Sequence, residues 1–215
     1  MDVVRSWYED ENHLADMPRE GRVKIWEAEA VRAFPAGARV LDMGCGMGRE
    51  AFALDALGFR VTGADISEKV IAGAKRRAAE LGVGISFVHF DGARFPFEDA
   101  SFDVAVLWAQ TFGLLYGDAA KASFLAECAR VLAPGGHLSF SGHDRAYLAE
   151  HYPHCLDGSR FFPYIDGKIW WETFGPDDLV RRAEDAGFEV LSHGRGAIYA
   201  PEDGVVLTCL CRKGE

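Results

Sequence analysis

The seven residues Asp42-Met43-Gly44-Cys45-Gly46-Met47-Gly48 constrain the fold of this chain more than any other stretch. A short apolar run, Val40-Leu41, leads into them. Residues 50–57 follow with helical character and close at Gly58. A buried strand that runs into glycines and then a helix is half of a strand–helix–strand crossover, in which glycine lets the backbone turn tightly and approach a ligand. The alternation continues downstream. Residues 59–64 read as a second strand, Ser67 can cap a helix over 68–81 that Gly82 ends, and 85–90 read as a third strand. Residues 102–108 read as a fourth strand. A helix over 119–132 stops at Pro134-Gly135-Gly136, and 137–141 form a fifth strand. Strands alternating with amphipathic helices predict an α/β fold, a doubly wound and mostly parallel sheet.

The tail breaks the alternation. Pro176 stands where a helix begins, the helix 177–186 stops at Gly187, and 188–192 and 205–211 are two strands with no helix between them. These two must pair antiparallel, which makes seven strands with the last one antiparallel. At roughly 100–200 residues per domain, 215 residues predict a single domain over 1–215. Residues 1–35 carry apolar positions at helical spacing (Val23, Trp26, Ala30, Phe34) and read as an N-terminal helical cover. Trp7, Tyr8 and Trp26 suit either core packing or the covering of a ligand. Residues 143–175 form a long insertion in which Phe161, Phe162, Tyr164, Trp170, Trp171 and Phe174 crowd together; connections of this length are often functional, and this one reads as a lid.

Charge and cysteines narrow the setting. Twenty-three Lys and Arg against 33 Asp and Glu give a net charge of −10, the wrong sign for a protein that lives on a phosphate backbone. No apolar run reaches the ~18–20 residues of a membrane span, and charges throughout the first thirty residues leave no room for a signal peptide. Five cysteines without a C-x-x-C pair predict free thiols and a reducing cytoplasm. Cys209 and Cys211 share one strand face and read as small buried hydrophobes. His143, His151, His154 and Cys155 match no metal-ligand spacing, so no metal is expected.

Acidic residues surround the glycine turn. A dinucleotide fingerprint needs a small third residue at position 49, which is Arg49, and a pyrophosphate is poorly served by Asp42 at the turn. Asp42 suits a ligand with a positive end, such as the amino group or sulfonium of S-adenosylmethionine. Asp65 ends the second strand 21 residues past Gly44, where a carboxylate can accept both hydroxyls of a ribose. Asp91-Gly92 ends the third, where a carboxylate can accept an adenine amine. Each Asp alone could be an ordinary turn or helix cap. Three at one sheet edge beside G-x-G-x-G point to a ligand site.

Residues 40–48, together with Phe95-Pro96-Phe97-Glu98-Asp99-Ala100-Ser101-Phe102-Asp103-Val104 and Val131-Leu132-Ala133-Pro134-Gly135-Gly136-His137-Leu138, resemble successive motifs of class I S-adenosylmethionine-dependent methyltransferases. The resemblance spans 38–142. It implies that Gly44, Cys45, Gly46 and Gly48 approach the methionine moiety, that Asp65 holds the ribose with Ile66 beside the adenine, and that Asp91 and Gly92 flank the adenine. Leu107 and Trp108 would lie beneath the methionine and the methyl group.

The resemblance implies methyl transfer to O or N, with S as a further option, of a small metabolite. Trp108-Ala109-Gln110-Thr111 departs from the Asn-Pro-Pro-aromatic motif of exocyclic-amine methyltransferases, and no Pro-Cys nucleophile for cytosine is present. With the acidic charge, this makes nucleic acid an unfavoured acceptor. The aromatic lid suits an aromatic or hydrophobic acceptor; the same aromatics could instead pack the lid or a homodimer contact, and the chain is expected to be a monomer or homodimer. His143, just past the fifth strand, is the best candidate base, ahead of Tyr147 and His151. Two other readings use the same scaffold: a non-catalytic sensor or partner subunit, and an aminopropyltransferase, which usually adds acidic residues that this lid lacks. A nicotinamide-dependent oxidoreductase is disfavoured by Arg49 and Asp42.

Overall fold

The computed structural model describes residues 4–6, 21–92, 94–156, 158–163, 167, 169–198 and 204–215. Trp7, Tyr8 and Tyr164, and with them part of the expected N-terminal cover, lie outside the described residues. The main sheet is built from β1 (Arg39–Met43), β2 (Arg60–Asp65), β3 (Ser86–His89), β4 (Phe102–Leu107), β5 (Leu132–Asp144), β8 (Phe188–Ala197) and β9 (Val205–Lys213). Their spatial order is β3-β2-β1-β4-β5-β9-β8. The first five run parallel; β9 is antiparallel to both β5 and β8.

Helices α1 (Ile25–Val31), α2 (Arg49–Ala56), α3 (Glu68–Leu81), α4 (Asp118–Val131) and α7 (Asp178–Asp185) accompany the sheet. The Ser67 hydroxyl accepts the Val70 N–H at 3.3 Å, which caps α3, and Gly82 ends that helix in the left-handed region. Strands buried on both faces should be apolar throughout, and Val104, Ala105, Val106 and Leu107 are all buried. Their side chains alternate between two cores. Leu41, Met43, Ala105 and Leu107 pack with Phe140 on one face. Val40, Val104, Val106 and Trp108 pack with Trp26 and Phe34 on the other. Trp26 meets Trp108 edge-on at 5.5 Å between ring centroids, so α1 packs over that face.

The insertion adds what the sequence pattern left as a lid. Helices α5 (Arg145–His151) and α6 (Pro153–Leu156) are followed by a hairpin of β6 (Phe161–Pro163) and β7 (Trp170–Phe174). Among the described residues nine strands are therefore present where seven were expected, the two extra being this hairpin. Strand β7 pairs in parallel with the far end of β5, His143 opposite Thr173 and Asp144 opposite Phe174. The hairpin is thus joined to the sheet by backbone hydrogen bonds at the carboxyl edge.

Candidate functional site

Strand β1 delivers Gly44 to that edge with φ +70°. Its N–H and that of Cys45 both donate to the Ala64 carbonyl of β2, at 2.8 and 3.1 Å, which folds the turn tightly onto the neighbouring strand. A β-carbon at Gly44 would stand 2.7 Å from Thr111 Cγ2, so the space over this turn exists only because no side chain is there. Gly48, at φ +89°, precedes α2 and offers it no capping side chain, which leaves the first N–H groups of the helix in need of other partners.

Asp65 ties the two turns together. One carboxylate oxygen accepts the Gly46 N–H at 3.0 Å and the other the Ser67 N–H at 2.9 Å. A carboxylate has about four lone-pair positions, so acceptor capacity remains for a ligand. A cavity of about 200 Å³ opens over these residues. Gly44, Cys45, Gly46, Asp65, Ile66, Gly92 and Leu107, all expected at the site, line it.

Five expected residues are not in that lining: Gly48, at the start of α2, and four that sit elsewhere. Asp42 lies buried beneath the turn, with Oδ2 lacking any hydrogen-bond partner among the described residues. Asp91 is exposed, and its flanking residues Phe90 and Gly92 form the wall instead. Trp108 turns to the opposite face, its indole N–H donating to Ser139 Oγ at 2.9 Å; neighbours on a strand point to opposite faces, so Leu107 and Trp108 cannot both reach one ligand through their side chains. His143 stands beyond the cavity at the end of β5, its ring 5.0 Å from Trp171 and 6.0 Å from Phe162. Burial and the Lys24 charge push its pKa down to about 4, so the imidazole is neutral near pH 7.

The wall also holds residues that the motifs did not single out, among them Val4, Met47, Thr111 and Leu114. Ala109 and Gln110 take φ of +53° and +60°, unusual for two successive non-glycine residues and a form of strain that collects at binding sites. Gln110 N–H donates to Ser141 Oγ on β5 at 3.3 Å. No residue-type signal announces that turn. Arg49 was detectable only as a departure from the dinucleotide pattern, and Glu50 carried no signal.

Beside the turn lies a buried ionic cluster. Arg49 donates to Glu27 of α1 at 3.0 and 3.1 Å and to Glu50, and Lys24 Nζ stands 3.6 Å from Glu27. Three acids, Asp42, Glu27 and Glu50, face two bases, and among the described residues Asp42 has no ion pair, its Oδ2 lacking any hydrogen-bond partner. Burial holds the Asp42 carboxyl well above the usual carboxylate range, Glu50 adds to the effect, and Arg49 opposes it. Burial raises Glu50 and Asp65 as well. The folded protein thus protonates these acids more readily than the unfolded chain does. Their contribution to stability is complete in acid and is lost as pH climbs through the raised values. The melting temperature of ligand-free Asp42→Asn should therefore gain on that of the parent as pH rises from acid to neutral. A difference independent of pH, by calorimetry over a pH series, would contradict the raised value.

Among the described residues, no group of three or more His, Cys, Asp or Glu side chains could hold a metal ion, and no helix is long and apolar enough to cross a membrane. All five cysteines are free thiols, and Cys45, Cys128, Cys209 and Cys211 are buried.

A methyltransferase-domain family profile matches residues 40–136. A demethylmenaquinone methyltransferase from Clavibacter sepedonicus is 36% identical over 139 residues, which cover 64% of this chain and 54% of that protein. A ubiquinone biosynthesis O-methyltransferase from Caulobacter sp. strain K31 is 40% identical over 172 residues, 78% of this chain and 66% of that one. The chain thus spans between about half and two thirds of the length of these curated relatives. The crystal structure of Burkholderia thailandensis 1,6-didemethyltoxoflavin-N1-methyltransferase superposes with a TM-score of 0.74 at 24% identity, covering 100% of this chain and 88% of that one. S-adenosylmethionine, the cofactor of that fold family, fits the residues present: the bare Gly44 turn gives it room in the cavity, and Asp65 in the wall keeps acceptor capacity for its ribose. By its motifs, its sheet order and this cradle, the chain belongs to the class I S-adenosylmethionine-dependent methyltransferases.

Proposed function

We propose that this protein transfers a methyl group from S-adenosylmethionine to O or N, with S as a further option, of a small, flat, hydrophobic metabolite. The observation that carries the reading is the cavity over a side-chain-free turn, with Asp65 in its wall and an aromatic hairpin hydrogen-bonded to the same sheet edge. Bound there, the cofactor supplies a methyl carbon on a sulfonium, a good leaving group. The acceptor's lone pair forms the new bond to that carbon as the carbon–sulfur bond breaks, and the bond's electrons go to sulfur. The protein's part is to hold the two reactants in line. The names of the relatives point the same way, to quinones for the two above and to a rifamycin for an Amycolatopsis mediterranei protein 39% identical over 107 residues. His143, facing the lid, is the side chain we assign to the acceptor. Five free thiols suit a reducing cytoplasm, and the net charge of −10 disfavours nucleic acid as a partner.

Titration calorimetry with S-adenosylmethionine and S-adenosylhomocysteine tests the reading. Both should bind, and Asp65→Ala should weaken both by about 1–3 kcal/mol through loss of charged hydrogen bonds. A folded sample that binds neither would remove the proposal; an Asp65→Ala variant with full affinity would put the ribose elsewhere.

A further inference from the structure

We infer that the acceptor is taken as an anion: the ionised oxygen of an acidic hydroxyl on a flat ring, an enol or an electron-poor phenol, held between His143 Nε2 and Gln110 Nε2. This deepens the methyl-transfer reading and rests on it.

Both nitrogens are buried, and neither has a hydrogen-bond partner among the described residues. Unpaired buried polar atoms are costly, and two on adjacent strand ends suggest a ligand group that pairs them. They sit at adjacent strand ends. Gln110 follows β4 and is hydrogen-bonded through its backbone to Ser141 of β5, and His143 lies two residues on from Ser141, on the same strand face. The strained turn carrying Gln110 has Ala109 and Thr111 on either side of it in the cofactor cavity wall. Trp171, which meets the His143 ring edge-on, also packs against the cluster of Val4, Leu114 and Ile169, two of which line the cofactor cavity. Phe162 and Trp171 supply flat apolar walls for a ring.

The chemistry of the pair selects the acceptor. An amide nitrogen can only donate, and a neutral imidazole donates in its Nε2–H tautomer. Two donors on an amine nitrogen would compete for the single lone pair that must attack carbon. An oxyanion has three, accepts both hydrogen bonds and still has one for the methyl group. A thiolate accepts hydrogen bonds too weakly to match two such donors. An imidazole that donates through Nε2–H cannot also take the proton of a neutral alcohol there. The neighbours of His143 across the sheet, Thr173 and Val206, are uncharged. Asp144 caps α5 and pairs with Arg195. The charge whose field reaches the imidazole is Lys24, itself beside Glu27, and it favours an anion and opposes a proton on the ring. The oxygen must therefore arrive already ionised, and no proton moves in the transfer: oxyanion and sulfonium give ether and thioether.

The probe is 4-nitrophenol, whose phenolate has its own absorption band, titrated against pH in the presence of S-adenosylhomocysteine. The phenolate should bind about tenfold tighter than the neutral phenol, so the bound probe titrates about one pH unit lower than the free probe. Gln110→Leu and His143→Phe should each shrink that displacement; calorimetric binding of S-adenosylhomocysteine reports whether each variant is folded. A bound probe that titrates at or above its free value, a probe that does not bind the loaded protein, or a full displacement in both folded variants would overturn the inference. Labelled methyl transfer to aniline in preference to 4-nitrophenol would also overturn it and leave small-molecule methylation standing. Failure to bind S-adenosylhomocysteine would instead remove the methyl-transfer reading on which it rests.

Discussion

Replacing Glu172 with alanine is expected to lower the melting temperature by about 6–20 °C, the equivalent of ~3–5 kcal/mol for a chain of this size. Glu172 lies on β7 of the lid hairpin and is almost fully buried. It accepts Lys121 Nζ at 2.5 Å, and Arg160 Nε stands 3.5 Å away on its other oxygen. Lys121 comes from α4, is wholly buried, donates also to the Leu115 carbonyl, and lies 5.7 Å from the ring centroids of both Phe112 and Phe174. Burial pushes the Lys121 ammonium below its usual range although Glu172 opposes the shift. Removing the carboxylate leaves that ammonium in an aromatic enclosure with one carbonyl as partner. It must then stay charged without compensation or lose its proton, and either choice is costly. The double variant Lys121→Met, Glu172→Leu should regain most of the loss, because deleting both charges removes the orphan along with the pair. If Glu172→Ala alone melts within about 2 °C of the parent, the brace between lid and body contributes little, and the hairpin is held by its strand pairing with β5 instead.

How much of this was legible in the sequence follows the range of each interaction. The parallel strands showed because burial on both faces makes apolar runs, and the helix ends at Ser67 and Gly82 showed because a cap is a local choice. The turn at residues 42–48 and Asp65 were legible for the same reason: residue type, spacing and chain direction suffice to bring them to one edge. The β6–β7 hairpin was not, because three residues of β6 carry no period and its pairing with β5 depends on contacts far apart in the chain. Its aromatics signalled a lid without its shape. The partner of Arg49, Glu27, comes from a helix 22 residues earlier, and no pattern within either segment joins them. Trp108 was within reach of strand alternation, yet the family resemblance, which assigns positions and not faces, set it beneath the cofactor. Ala109 and Gln110 lie beyond any reading of residue types, since left-handed backbone is ordinarily left to glycine and asparagine.

Gly44→Ala should reduce affinity for S-adenosylhomocysteine at least ~30-fold, from ~2–5 kcal/mol of combined backbone strain and crowding. Two separable causes add here. At φ +70° an L-residue crowds its own backbone, which costs ~1–2 kcal/mol wherever it occurs. The new β-carbon also meets Thr111 Cγ2 at 2.7 Å and Oγ1 at 3.3 Å. Thr111 is β-branched and begins the 3-10 turn Thr111–Leu114, so its rotamer cannot relax freely. The loss can be relieved only by moving the 44–48 turn or the 109–111 turn, and both form the cavity wall. Thr111→Gly in the Gly44→Ala background removes the crowding and leaves the φ cost. Calorimetry should then recover a part of the affinity, about 1–3 kcal/mol, and no more. Full recovery would show that the left-handed backbone at Gly44 costs nothing; no recovery would show that the turn itself, and not the room above it, decides whether the adenosyl ligand binds.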